Sequence, residues 1–288
     1  MLPIYRKEMR MYFTQMIGYI FLTFLILLTG LFFSFVNVFS SNPNYYQVLS
    51  NTTIFFLILV PTLTMRLFAE EARHKTDQLL FTSPLTVRQI VIGKFLAALT
   101  LFLIGMGVTV LFPLILSFYG TIPVAQIAGA YLGYILLGVS YIAVGLFISV
   151  LTDNQIIAAV ATFAALFVLN IMDALAQIMP STTTASLIFV ALLVLAAAAV
   201  LYSSTKNALA AGIVGILGAG GVAGLYLFNN LIFDGIIVKS LKWLSVYTRF
   251  INLMNGILNV SDIVYYVSFI TLFIYMTVNV IEKRRWRS

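Results

Sequence analysis

The chain contains no cysteine, a single histidine and few charges: 9% of its 288 residues are Asp, Glu, Lys or Arg. Without cysteine there is neither a disulfide nor a thiolate metal site. One histidine, His74, excludes a multi-histidine metal cluster. Soluble domains run near a quarter charged, so this is not one. What the chain has instead is apolar length. It is 62% hydrophobic, and runs of about 20 apolar residues, enough to cross a bilayer, recur along it. The expected fold class is all-α, a polytopic helical membrane protein. Its net charge of +7 reads as the loop cations that set membrane orientation, not as a nucleic-acid surface.

The segment LPIYRKEMRMYF at the start predicts an interfacial helix within residues 1–15. Leu2, Tyr5, Met9, Tyr12 and Phe13 share one face, and Arg6, Lys7 and Arg10 another. Pro3 suits a first turn. The apolar run after Arg10 is too long for a signal-peptide core and has no small-residue cleavage site behind it, so it reads as the first span.

Eight spans are expected: Ile17–Phe39, Val48–Phe68, Val91–Phe118, Ala128–Leu151, Ile156–Met179, Ser186–Tyr202, Ala208–Phe228 and Asp262–Ile281. Turn chemistry separates them: SSNPNYY, TIP, TDNQ, STTT and SSTKN. The alternative is six spans with residues 186–228 as a re-entrant pair. Either way both termini are expected to be cytoplasmic. Of the sixteen Lys and Arg, only Lys239, Lys242 and Arg249 then fall outside, against thirteen inside. Residues 234–259 are too polar to span. They predict one or two short amphipathic helices on the outer face, with Trp243, Tyr247 and Phe250 at the interface. The whole, residues 1–288, reads as one transmembrane domain.

A polar, charged island stands between two long apolar runs, Glu70 to Lys94, EEARHKTDQLLFTSPLTVRQIVIGK. EEARHKTDQLL holds no helix breaker and predicts a helix extending the second span, with Glu71 and Lys75 paired at i and i+4. Ser83-Pro84 forces a turn. Thr86 followed by Gln89 fits a capping box that opens the helix of the third span. A helix, turn and helix on the ends of two spans can carry motion; an ordinary solvated loop is the plainer alternative.

Nucleotide chemistry is absent. Gly93-Lys94 is not a phosphate loop, because Phe95 stands where Ser or Thr is required. Gly218, Gly220 and Ala223 nominally fit GxGxxA, but within an apolar run they read as helix packing, as do Gly129 and Gly133. Asp173, with Asn170 one turn earlier, is the acid best placed inside a span and marks a possible intramembrane polar site, with local pairing the plainer role. Arg66 and Lys94 sit at inner edges, where long side chains snorkel.

Three stretches resemble the permease subunits of type-2, export-type ABC transporters, in particular those of gliding-motility and nitrous-oxide-reductase-maturation type. They are YRKEMRMYFTQMIGYIFLTFLILLTGLFF, with a "KE" anchor and an "IGY" span; TMRLFAEEARHKTDQLLFTSPLTVRQIVIGKFLAAL, with a "T-x-x-LL-x-S-P" core and a "GK"; and the C-terminal RFINLMNGILNVSDIVYYVSFITLFIYMTVNVIEKRRW. Two departures stand out. Lys75 occupies a position where that family usually has glycine, and residues 186–228 look like an insertion relative to six-span members.

The resemblance implies two permeases, identical or sister chains, each docked on a separate ATP-binding subunit that carries ATP and Mg; this chain itself would hold no cofactor and no metal. The coupling element (residues 70–90) would comprise Glu70, Glu71, Lys75, Thr76, Leu79, Leu80, Ser83, Pro84, Leu85, Thr86 and Arg88. Asp153, Asn154 and Gln155 would make a second contact. The resemblance also implies a bacterial cytoplasmic membrane, lipid neighbours, room for an extracytoplasmic accessory protein and no nucleic acid. The competing functions are a membrane subunit that drives an extracytoplasmic process without passing a solute, and a self-contained secondary transporter. The second would need several intramembrane carboxylates, where the sequence offers Asp173. A membrane enzyme would need a catalytic cluster that the spans do not contain.

Overall fold

A computed structural model describes residues 1–76, 85–205 and 235–285, with Gly212, Leu217 and Gly220 besides. Every regular element among them is helical. The chain forms two compact units, residues 1–169 with 246–288, and residues 170–245.

The first unit opens with α1 (Leu2–Thr14), with Pro3 in its first turn as expected. Its fully buried residues are Ile4, Glu8 and Tyr12. Of the expected apolar face Tyr5, Met9 and Phe13 are half-buried against the core and Leu2 is exposed, while Arg6, Lys7 and Arg10 are exposed as expected, so the split holds with an acid, Glu8, added to the inward stripe. A left-handed Met16 separates α1 from α2 (Ile17–Phe33), which ends in a π-helical turn, Ser34–Phe39. The second span is segmented into α3 (Tyr46–Thr52), a 3₁₀ turn at Thr53–Phe55, α4 (Phe56–Thr64) and, after a break, α5 (Ala69–Arg73). The third comprises α6 (Val87–Thr109) and α7 (Leu111–Ser117). Then follow α8 (Val124–Leu151) and α9 (Gln155–Ile178), the latter crossing the boundary between the units.

The second unit contains α10 (Thr183–Thr205) and α11 (Ile236–Leu244). The first resumes with α12 (Val246–Met254) and the long terminal helix α13 (Val260–Arg285).

Six of the eight expected spans are helices long and apolar enough to cross a membrane: Ile17–Phe39, Tyr46–Arg73, Val87–Ser117, Val124–Leu151, Gln155–Ile178 and Val260–Arg285. The expected span Ser186–Tyr202 lies within α10. Ala208–Phe228 lies outside the described residues, apart from the three named above. The two short helices expected within 234–259 are α11 and α12.

Helix α8 is the post of the first unit. In its most apolar stretch 72% of residues are buried, against 17% in α13. Small residues make that possible, because they let backbones approach. A side chain at Gly129 would strike the backbone carbonyl of Leu253, and one at Gly133 would crowd Phe250 and Leu253, so both glycines are the seat of α12, as the packing reading required. Two tyrosine hydroxyls in this core find partners. The Tyr134 hydroxyl is 3.2 Å from Thr52 Oγ1, and the Tyr266 hydroxyl donates to the carbonyl of Val246 at 2.8 Å. At this same end Arg249 and Asp262 form a buried pair at 2.7 Å, with Asn252 donating to the second carboxylate oxygen at 3.1 Å and the Tyr265 ring lying 4.2 Å from the guanidinium. Asp262 is thus a further acid at a span end, buried where Asp173 is half-buried, which corrects the reading that Asp173 alone was available; both have local partners.

Candidate functional site

The second span was expected to run on as one helix past Glu70. It breaks instead at Met65–Phe68, a turn after Pro61. A helix break strands backbone groups, which inside a membrane protein must find partners within the protein. Two side chains supply them. Ser149, near the end of α8, accepts from the backbone N–H groups of Phe68 (3.0 Å) and Ala69 (3.2 Å) and donates to the carbonyl of Met65 (3.2 Å). Lys94, on α6, donates to the carbonyl of Leu67 at 2.6 Å. The break is therefore tied to the third and fourth spans.

Lys94 also carries the centre of an ion network. Its Nζ is 2.6 Å from Glu8 Oε1 and 2.9 Å from Glu71 Oε2, and the three side chains are 1%, 4% and 9% exposed. Lys7, half exposed, reaches the other oxygen of Glu71 at 2.7 Å. Two cations thus balance two carboxylates, and the network joins α1, α5 and α6. The Phe68 ring closes one side, with its centre 5.0 Å from the ammonium. Desolvating such a group consumes most of the attraction it gains, so what the network supplies is a fixed geometry more than net stability; losing one partner strands a buried charge at a cost of about 3–5 kcal/mol.

A second pair lies alongside. Arg66 grips Glu70 through both carboxylate oxygens at 2.6 Å and also donates to Gln15 just beyond α1. Tyr12 donates to the carbonyl of Leu63 at 3.3 Å. Burial first, then the Glu8 carboxylate, pushes its phenol well above the usual range against the opposing pull of Arg66, so the hydroxyl stays a donor.

The sequence-derived site residues divide accordingly. Glu70 and Glu71 face inward, into the pairs just described. The expected Glu71–Lys75 pair does not form, because α5 ends at Arg73 and Lys75 takes a left-handed backbone conformation, φ 56°. The reason is competition: Glu71 reaches two lysines elsewhere in the fold, and the chain turns back through Thr76, whose N–H donates to the carbonyl of Glu71 at 2.9 Å. Arg73, His74, Lys75 and Thr76 are exposed. Leu79, Leu80, Ser83 and Pro84 lie outside the described residues. Beyond them, Leu85 is half-buried and leads into the expected capping box. Gln89 N–H donates to Thr86 Oγ1 at 3.4 Å, and Thr86 N–H to Gln89 Oε1 at 3.3 Å. Arg88 is exposed on the first turn. Among the described residues of this element the outward surface is accordingly basic, with Glu70 and Glu71 turned inward.

At the second connection, Asp153 and Asn154 are exposed and Gln155 half-buried. Asn154 caps α9, its Oδ1 accepting from Ile156 N–H at 2.9 Å. Asp153 lies 3.5 Å from Arg284 of the C-terminal helix. Since Ser149 holds the break at 65–69, the N-terminal helix, residues 65–76 and 85–94, the 152–155 connection and the basic end of α13 at Arg284 all gather at one end of the first unit. That is the grouping the positive-inside count demands. In the second unit, Asp173 accepts from Gln177 Nε2 one turn along at 3.1 Å, and Asn170 is half-buried.

Glu8, Lys94 as a network centre and Ser149 were missed by sequence reasoning. The signal for two of them was present: Glu8 belongs to the "KE" and Lys94 to the "GK" that carried the family resemblance.

Residues 32–184, just over half of the chain, match the sequence model of the ABC-2 family transporter proteins. No curated protein and no solved structure matches.

Proposed function

Because the chain belongs to the ABC-2 transporter family and is a multi-pass membrane subunit of an ABC transporter, we propose that it receives work from a separate ATP-binding subunit and converts it into export across the bacterial cytoplasmic membrane. The observation that carries this reading is the broken inner end of the second span. The 65–76 arm is severed from α4 by the break, yet it is fastened to α1, α6 and α8 by Glu8, Lys94 and Ser149. A push on the arm is passed to the third and fourth spans through those contacts.

The docking surface is the exposed cationic face formed by Arg73, Lys75 and Arg88, together with Leu85 and Thr86; it suits an acidic cleft on the ATP-binding subunit. Leu79, Leu80, Ser83 and Pro84 belong to the same element by sequence. Asp153, Asn154 and Gln155 form the second contact. Glu70 and Glu71 serve as internal fasteners of the arm and not as its docking groups. The sequence has no phosphate loop, so hydrolysis of ATP with Mg is assigned to the partner, present in two copies with a second permease.

The test is co-purification with candidate ATP-binding subunits, followed by ATPase assay of the complex in lipid. Assembly that raises ATPase activity supports the reading. Normal function of the chain alone in liposomes, with no ATPase partner, overturns it.

A further inference from the structure

Methionine seldom takes a left-handed backbone, which favours glycine or asparagine. Met16 does so between α1 and α2, with φ 62°. The corner it makes is tight. A side chain at Gly18 would strike the carbonyl of Tyr12, and the Tyr19 ring meets Phe13 edge-on, with 5.5 Å between centres. What a glycine at position 16 would not supply is a side chain, and that of Met16 walls an apolar groove of ≈ 360 Å³ along α2, completed by Tyr19, Ile20, Thr23 and Phe24. All five residues are exposed. On α1, Arg6, Arg10 and Thr14 follow one another at a spacing of four on one exposed face that leads to this corner. Thr14 Oγ1 donates to the carbonyl of Arg10 at 2.9 Å. Neither arginine has an acidic partner among the described residues, because the acids of α1 and the arm are engaged elsewhere: Glu8 with Lys94, Glu71 with Lys94 and Lys7, and Glu70 with Arg66.

We propose that this corner binds one anionic phospholipid, its phosphate held by Arg6 and Arg10 and an acyl chain laid in the groove of α2. The forked donors of a guanidinium match phosphate oxygens, and cations beside a membrane span attract anionic lipid. A soluble anion would leave the groove uncovered. A zwitterionic lipid would bring a cation of its own towards the two arginines. The site is independent of the coupling reading, because it is occupied without ATP and without a partner.

The experiment uses the full chain in lipid nanodiscs, without nucleotide. The probes are phosphatidylglycerol and phosphatidylcholine carrying the same diazirine-bearing acyl chain, and labelled peptides are mapped by mass spectrometry. Phosphatidylglycerol should label residues 16–24 on the order of twentyfold more than phosphatidylcholine, about fivefold for each arginine. Arg6→Gln with Arg10→Gln changes exposed residues, leaves the fold intact and should remove that preference. Met16→Gly suits the left-handed corner, so the chain folds at least as well, but it takes away a wall of the groove and should lower the phosphatidylglycerol label severalfold. Lys283→Gln with Arg285→Gln removes two exposed cations of α13 at the same end and should leave the preference unchanged. Excess inorganic phosphate at matched ionic strength should not displace the label. Equal labelling by the two probes, undiminished labelling of either the arginine or the Met16 variant, an equal loss in the Lys283–Arg285 variant, or displacement by phosphate overturns the proposal.

Discussion

Lys94 and Glu8, 86 residues apart in sequence, meet at 2.6 Å with both side chains buried. One is on the N-terminal helix and the other at the start of the third span, and Glu71 of the arm completes the set. Glycine at position 93 lets α1 come this close: a side chain there would press on Ile4 and on the carbonyl of Met1.

The first prediction concerns this pair. Lys94→Met leaves Glu8 and Glu71 as buried carboxylates with only Lys7 nearby, and should destabilise the chain by about 3–5 kcal/mol. Glu8→Gln combined with Lys94→Met removes one of the stranded charges and should recover part of the loss. Thermal unfolding in detergent of the two single variants and the double variant gives the coupling energy, expected above about 1 kcal/mol. Additive losses would mean that the two side chains do not interact.

Ser149 makes a different kind of contact. Its hydroxyl serves three backbone groups at the break, so Ser149→Ala should cost about 1–3 kcal/mol through unsatisfied N–H groups, despite the small change in volume. Hydrogen exchange at Phe68 and Ala69 should accelerate in the variant while exchange in α12 stays unchanged. Unaltered exchange at those two amides would show that Ser149 is not their partner.

At the other end of the same unit, Arg249→Met strands the Asp262 carboxylate and should lower the melting temperature more than Arg249→Met with Asp262→Asn, which neutralises it. Both variants should still bind the ATP-binding subunit, since the pair lies beside Gly129 and Gly133, at the far end of α8 from Ser149. Equal melting temperatures for the single and double variants would argue that the pair carries no buried charge.

Charge reversal on the outward face separates docking from folding. Lys75→Glu and Arg88→Glu change exposed residues and should leave unfolding within about 0.5 kcal/mol of wild type. They should nevertheless reduce co-purification of the ATP-binding subunit, most strongly at low salt, where charge attraction is least screened. Glu70→Gln should do the reverse, loosening the Arg66 clasp while leaving the docking face intact. Loss of stability with full assembly for Lys75→Glu would exclude the assignment.

Much of the fold was legible in the sequence because it is local or periodic. Span positions follow from apolar length, the start of α6 from the Thr86–Gln89 capping box, and the seat of α12 from Gly129 and Gly133. What was not legible is where local and distant partners compete for one residue. Glu71 has Lys75 at helical spacing and takes Lys7 and Lys94 instead. No glycine or proline stands within Met65–Phe68 to announce the break; Pro61 lies a turn earlier, and the stabilising hydroxyl comes from residue 149. Glu8 was not read as part of the inward stripe of α1 for the same reason. Glu8 reads as polar surface until the lysine it meets is in view. The "KE" and "GK" motifs flagged both residues, but without a physical account of why they belong together.

The central claim is that motion of the 65–76 arm reaches the membrane helices through Glu8, Lys94 and Ser149. Hydrogen exchange on the chain assembled with its ATP-binding subunit, with and without ATP and vanadate, tests this most directly. In the wild type, nucleotide should change exchange in the arm and also in α6 and α8. In Glu8→Gln with Lys94→Met and Ser149→Ala, assembled to the same extent, the change should stop at the arm. Undiminished propagation in that variant would contradict the account.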